Sequence, residues 1–199
     1  CNRFRDYLLD AKQLKNKNHR ISQNSAAGYF STFRALLKMA YKEKFFRENL
    51  NEYLEAIEIT DVKKEYLTLN EVKLLANTPC DYPVLKAASL FSCMTGLRIS
   101  DILSLEWSEI ELASDGGYCM RIRTEKTETE TTLPISDEAL ELCGTRGKGK
   151  AFKGLQRSMT QQPLKAWVAS AGITKHITFH TARFTFATTV CLIQGVPIE

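Results

Sequence analysis

The sequence predicts a mainly α-helical protein with a small β-hairpin or sheet, an α+β class. Three observations predict it. Apolar residues recur at three- and four-residue spacing along most of the chain, helix-capping residues precede several of these runs, and residues 118–135 switch to two-residue alternation. The composition agrees: 199 residues, 44% hydrophobic and 25% charged, suit one ordinary globular domain or two small ones. No apolar run approaches the roughly 20 residues of a membrane span.

Residues 3–15 place Phe4, Tyr7, Leu8, Ala11 and Leu14 on one helical face, and the polar stretch 16–20 ends that helix. Ser22 is a cap for a helix to about residue 42, buried through Ala26, Phe30, Phe33, Leu37, Ala40 and Tyr41. Asn49 to Ile57 reads as a third, shorter helix. Residues 1–58 thus form an all-helical module, and the charged, unpatterned residues 59–66 form a linker. Thr68 to Glu71 is a T-x-x-E capping box opening a helix to about Ala76. Asp81-Tyr82-Pro83 starts another, which runs to Met94 and stops at Thr95-Gly96, where glycine suits the left-handed turn of a helix end. Ser100 is expected to cap a short helix to about Leu103. Tyr118, Met120 and Ile122 then alternate with Cys119, Arg121 and Arg123, and residues 132–135 form a second extended run beyond the polar turn 125–129. Residues 136–143 return to helix, and residues 144–154 are a loop rich in glycine and lysine. Ser158 or Thr160 opens a helix to about Ala171, and residues 179–193 form the last.

Charge is uneven along this order. Residues 1–60 carry 11 Lys/Arg against 7 Asp/Glu, residues 61–144 carry 8 against 15, and residues 145–199 carry 8 against 1. Two basic ends around an acidic middle suit a polyanionic partner, or are simply solvated surface. The six cysteines form no C-x-x-C pair, which fits buried thiols in a reducing compartment better than disulfides or a zinc site.

The residues able to do chemistry are few. Arg98 follows Thr95-Gly96-Leu97 on a tight turn, from which a guanidinium can make two parallel hydrogen bonds to phosphate oxygens; pairing with Asp101 is the alternative. His180 and Arg183, three apart at a helix start, share a face and can grip a phosphate, or act only as a capping pair. Lys126 occupies the hairpin tip, where it is either solvated or able to hand a proton to a leaving oxygen. His176 and His180 have metal-ligand spacing, but without H-E-x-x-H or clustered cysteines no metal is expected.

Two stretches together resemble the conserved boxes of the phage-integrase family of tyrosine recombinases. Thr95-Gly96-Leu97-Arg98-Ile99-Ser100-Asp101 is similar to the first box. His180-Thr181-Ala182-Arg183-Phe184-Thr185-Phe186-Ala187 is similar to the second, H-x-x-R-H-T-F-A. Lys126 stands at the family's hairpin lysine, and residues 1–58 resemble its core-binding, SAM-like DNA-binding domain. The overall flavour is that of integrases from Bacteroides-type mobile elements. The resemblance implies a helical core-binding domain, a linker over 59–66, and a catalytic domain over 67–199 that is incomplete at its C-terminus.

In such a protein a tyrosine attacks the scissile phosphate, forming a phosphotyrosyl link, so neither metal nor other cofactor is needed. Arg98 and Arg183 would bind the non-bridging oxygens, Lys126 would protonate the leaving oxygen, His180 would help position the phosphate, and Asp101 would orient Arg98. Double-stranded DNA is the implied partner. Arg20, Lys38, Lys42, Arg146, Lys148, Lys150, Lys153 and Arg157 are the candidate phosphate contacts.

Two departures matter. Phe184 stands where the family has a second histidine, and all seven tyrosines precede His180, so the third box and the nucleophile are expected past Glu199. The expectation is therefore a fragment that binds DNA without cutting it. It would be monomeric without DNA, and would come from a cytoplasmic, nucleoid-associated bacterial recombinase that is tetrameric on DNA. A non-catalytic DNA-binding regulator or decoy derived from a recombinase is the alternative.

Overall fold

The computed structural model describes residues 1–114, 116–123 and 130–192. It divides into two compact units, Cys1–Lys63 and Lys64–Glu199.

In the first unit, α1 (Asn2–Asp10) packs on the long α2 (Gln23–Lys42). Ser22 caps α2 as its sequence position requires, its hydroxyl accepting from the Ser25 N–H at 3.1 Å. Leu8, Ala26, Ala27, Phe30, Leu54 and Ile57 form the core. Two expectations are corrected here. The first helix ends at Asp10 rather than residue 15, because Lys12 pairs antiparallel with Arg20 and the chain turns between them. Leu14, the apolar residue that would have extended the stripe, is 97% exposed. The third helix is only a 3-10 turn, Leu50–Tyr53, followed by extended chain at Leu54. Leu54 and Ile57 are nevertheless buried, since a three-residue spacing does not require a helix to bring both inward. The segment after them is tied to the first turn of α2: Asn24 exchanges two hydrogen bonds with the Thr60 backbone at 2.8 and 2.9 Å.

The second unit begins with α3 (Leu69–Asn77), where Thr68 and Glu71 form the capping box. α4 (Pro83–Thr95) is the central helix, with Leu85, Ala88 and Phe91 wholly enclosed. It ends at Gly96 in the left-handed region, φ 70°. α5 (Ile99–Ser104) follows directly. Its N-cap position is Arg98 rather than the expected Ser100. The Asp101 carboxylate accepts from the Arg98 backbone N–H at 3.3 Å, and the Ser100 hydroxyl donates to the other Asp101 oxygen. A carboxylate in the first turn thus satisfies the free N–H that a capping serine would have taken.

The β-structure is a three-stranded antiparallel meander, β1 (Ile110–Leu112), β2 (Tyr118–Arg123) and β3 (Glu130–Ile135). The sequence pattern anticipates β2 and β3 but not β1, which is too short to alternate recognisably. Met120 lies opposite Ile110 on one side and Leu133 on the other, so the inward face of β2 is held in register by its neighbours. The hairpin turn carrying Lys126 lies outside the described residues.

α6 (Asp137–Leu142) is capped by Ser136. The glycine- and lysine-rich loop is anchored rather than free: Ala151 N–H donates to Leu105 at 2.9 Å and Trp107 N–H to Gly149 at 3.0 Å. α7 (Gln162–Ser170) starts later than Ser158 or Thr160, because residues 157–160 form a 3-10 turn and Pro163 sits in the first turn of the helix. The last helix, α8 (Thr181–Thr185), continues as π-helix over Phe186–Leu192. Among the described residues no helix is long and apolar enough to cross a membrane.

Candidate functional site

The two motif arginines converge at the junction of α4, α5 and α8. Gly96 makes this possible. A Cβ there would lie 2.6 Å from Cδ1 of Phe186, so only glycine lets the end of α4 approach the α8 segment this closely. The same peptide then fixes the second arginine: Arg183 Nη1 donates to the Gly96 carbonyl at 2.6 Å. Arg98, two residues after Gly96, is half-buried, and so is Arg183.

The electrostatics carry the mark of this convergence. Burial first, and the like charge of Arg98 second, hold the Arg183 guanidinium below its ordinary pKa; the Asp101 carboxylate opposes them. Asp101 is 6% exposed, at the foot of the site, where it is held by the Arg98 backbone and the Ser100 hydroxyl. Two guanidiniums with one buried carboxylate leave a net positive charge, which an oxyanion would neutralise. Because Arg183 spends one N–H on Gly96, its remaining donors are held in a fixed plane.

His180 occupies the N-cap position of α8 but makes no side-chain capping bond. It is exposed and packs edge-on against Phe184, ring centres 5.1 Å apart at 84°. Phe184 also carries the Lys64 ammonium 4.8 Å from its ring centre. His176 does not share a helix with His180, since α8 begins only at Thr181; its backbone N–H instead donates to Glu65. No group of three or more His, Cys, Asp or Glu able to hold a metal ion occurs among the described residues.

Behind the site, α8 grips the chain entering this unit. The Thr185 hydroxyl accepts from the Leu67 N–H at 3.0 Å, and the Thr189 hydroxyl donates to the Leu67 carbonyl at 2.6 Å. One turn of helix thus satisfies both backbone groups of a buried residue. Lys175 adds a bond to the Tyr66 carbonyl at 3.0 Å and an ion pair to Glu71 at 2.6 Å.

Arg20 is paired with Asp10 at 3.2 Å, and Lys38 and Lys42 project from α2 into solvent. Arg146 spends one N–H on the Ile110 carbonyl at 2.9 Å, while Lys148, Lys150, Lys153 and Arg157 are exposed. Sequence reasoning missed Lys64, Thr185 and Thr189. The threonines are four apart at the helical period, but nothing in the sequence indicates that their partner is Leu67.

Comparison with known proteins agrees with this architecture. The phage integrase family model matches residues 65–198, and the phage integrase SAM-like domain matches residues 1–59. The chain belongs to the phage integrase family. It is 26% identical over 188 residues to the tyrosine recombinase XerD of Halalkalibacterium halodurans, covering 84% of this chain and 62% of that protein. To the XerD of Lacticaseibacillus casei it is 32% identical over 123 residues, 52% of this chain and 41% of that one. The chain therefore spans less than two thirds of the length of these relatives. Among solved structures, lambda integrase bound to DNA superposes with a TM-score of 0.63 at 21% identity, covering 83% of this chain and 64% of that one. The integrase from mycobacterium phage Brujita gives 0.58 at 19%, covering 91% and 62%. These structures share the fold: a mainly helical protein with a small antiparallel sheet.

Proposed function

We propose that the site is the phosphate-binding half of a tyrosine recombinase, acting in site-specific recombination and integration of double-stranded DNA. The observation that carries this reading is the Arg183 bond to Gly96, which sets the arginine of the second motif beside the arginine of the first. In this reading Arg98 and Arg183 hold the two non-bridging oxygens of a scissile phosphate and stabilise the extra charge of its five-coordinate transition state. Asp101 keeps the Arg98 turn in place. His180, exposed at the rim, positions the phosphate and handles the proton of the attacking hydroxyl, and Lys126 protonates the leaving 5′ oxygen. The attacking tyrosine preserves the bond energy as a phosphotyrosyl link, so the chemistry calls for no cofactor.

None of the seven tyrosines follows Arg183, so residues 1–199 by themselves are expected to bind DNA without cleaving it. They are expected to be monomeric without DNA and to act in the bacterial cytoplasm at the nucleoid; a tetramer on DNA is the expected state of the working recombinase. The deciding experiment measures duplex binding and covalent trapping on a nicked duplex. Arg98→Ala and Arg183→Ala should each weaken binding, with no covalent adduct from the parent chain. Undiminished binding by both variants would refute the phosphate site, and an adduct would refute binding without cleavage.

A further inference from the structure

We infer that Lys64 is an additional DNA-phosphate contact of this site, seated there by the ring of Phe184. The inference rests on the reading of Arg98 and Arg183 as a phosphate site, and extends it to a residue from outside both motifs.

Lys64 has the composition of a linker lysine, but its position is fixed. Within the second unit, the three residues that follow it are each bonded to its last helical segment or the chain leading into it: Glu65 accepts from the His176 N–H, the Tyr66 carbonyl accepts from Lys175, and both backbone groups of Leu67 are taken by Thr185 and Thr189. The strap formed by these bonds runs along α8. It places the Lys64 ammonium 4.8 Å from the centre of the Phe184 ring, the ring against which His180 packs from the N-cap one turn earlier. Lys64 is exposed, so its ammonium lies on the π face while keeping donors free for a second partner.

Phe184 and His180 are four apart and their rings touch, so a cation resting on the Phe184 ring flanks His180, the rim residue of the phosphate site. A histidine at position 184 would be a poorer seat, because a protonated imidazole repels an ammonium. The phenylalanine at this place in the motif and the lysine on the strap therefore form one unit. Phe184 is the positioning residue and Lys64 the contact. A positive charge pinned on the ring that packs against His180 calls for an anion at that rim, and a DNA phosphate is the anion this site offers to bind.

The test is a salt titration of binding between the 199-residue chain and a duplex of mixed sequence, read by fluorescence anisotropy. Each phosphate contact contributes about 0.9 to the slope of log K against log salt. Lys64→Met is expected to lower the slope by about that amount, and Lys64→Arg to leave it unchanged. Phe184→Leu, which removes no charge, should lower the slope as Lys64→Met does, and Phe184→Tyr should restore it. The double variant Lys64→Met/Phe184→Leu should match either single change rather than sum them. Lys64 is exposed, so its variants test the contact even if Phe184→Leu proves unstable. DNA binding with an unchanged slope in Lys64→Met overturns this inference alone, and additive effects overturn the seat. Failure of the unmodified chain to bind DNA overturns the phosphate site itself and this contact with it.

Discussion

Replacing Gly96 with alanine tests whether one backbone position sets both the packing and the chemistry of the site. Two costs combine. Gly96 has φ 70°, and a left-handed conformation costs an L-residue about 1–2 kcal/mol. The added Cβ would also stand 2.6, 3.1 and 3.2 Å from three atoms of the Phe186 ring. A ring on a packed helix yields less readily than the end of a flexible chain, and forced overpacking costs about 1–3 kcal/mol. The expected loss is therefore about 2–5 kcal/mol, measured as a lower urea midpoint at constant slope. DNA affinity should fall as well, because the Gly96 carbonyl holds Arg183 at 2.6 Å. Two further variants separate the costs. Gly96→Asn tolerates the left-handed turn but keeps the clash, and Phe186→Ala with Gly96→Ala relieves the clash but keeps the turn. A loss below about 1 kcal/mol in Gly96→Ala, with unchanged DNA affinity, would refute the close-approach argument.

Three other outcomes follow from contacts described above. Thr189→Val leaves the buried Leu67 carbonyl without its 2.6 Å donor and should cost about 1–3 kcal/mol in urea unfolding; a change within about 0.5 kcal/mol would mean water replaces the hydroxyl. Burial raises the Glu71 pKa, but hydrogen bonds from Lys175 and from the Thr68 backbone and hydroxyl outweigh it, so the folded value lies below the ordinary one. The stabilisation is therefore present above the unfolded value, about pH 4.3, and is lost as pH falls through the lower folded value; Glu71→Gln should flatten this part of an acid-unfolding profile, and an unaltered profile would contradict the pair. Burial pushes the Cys93 and Cys143 thiols up to about 12, so iodoacetamide at neutral pH should modify exposed Cys1 far faster than either, as peptide mapping would report.

How much of this was legible in the sequence depended on whether a signal was local. The Thr68 capping box, the Ser22 cap, Pro83 at a helix start and Gly96 at a helix end all lie within four residues of what they control, and each appears where the sequence places it. Two of the readings that needed correction were local patterns overridden from farther along the chain or met by another conformation. The stripe from Phe4 to Leu14 continues past Asp10 on paper, but Lys12 pairs with Arg20 instead. The spacing of Leu54 and Ile57 suits a helix, yet the burial it signals is met by extended chain.

The sequence by itself determined the α+β class, the two motifs and the choice of Arg98 and Arg183. It did so because capping, periodicity and motif order are written in adjacent residues. Only the tertiary structure decided that the two arginines share one place, since Arg183 meets Gly96 across a separation of 87 residues. It alone joined Thr185 to Leu67 across 118 residues, and set Lys64 on the ring of Phe184. Contacts of that range arise from how the helices pack, and packing is a property of the whole chain that no window of its sequence contains.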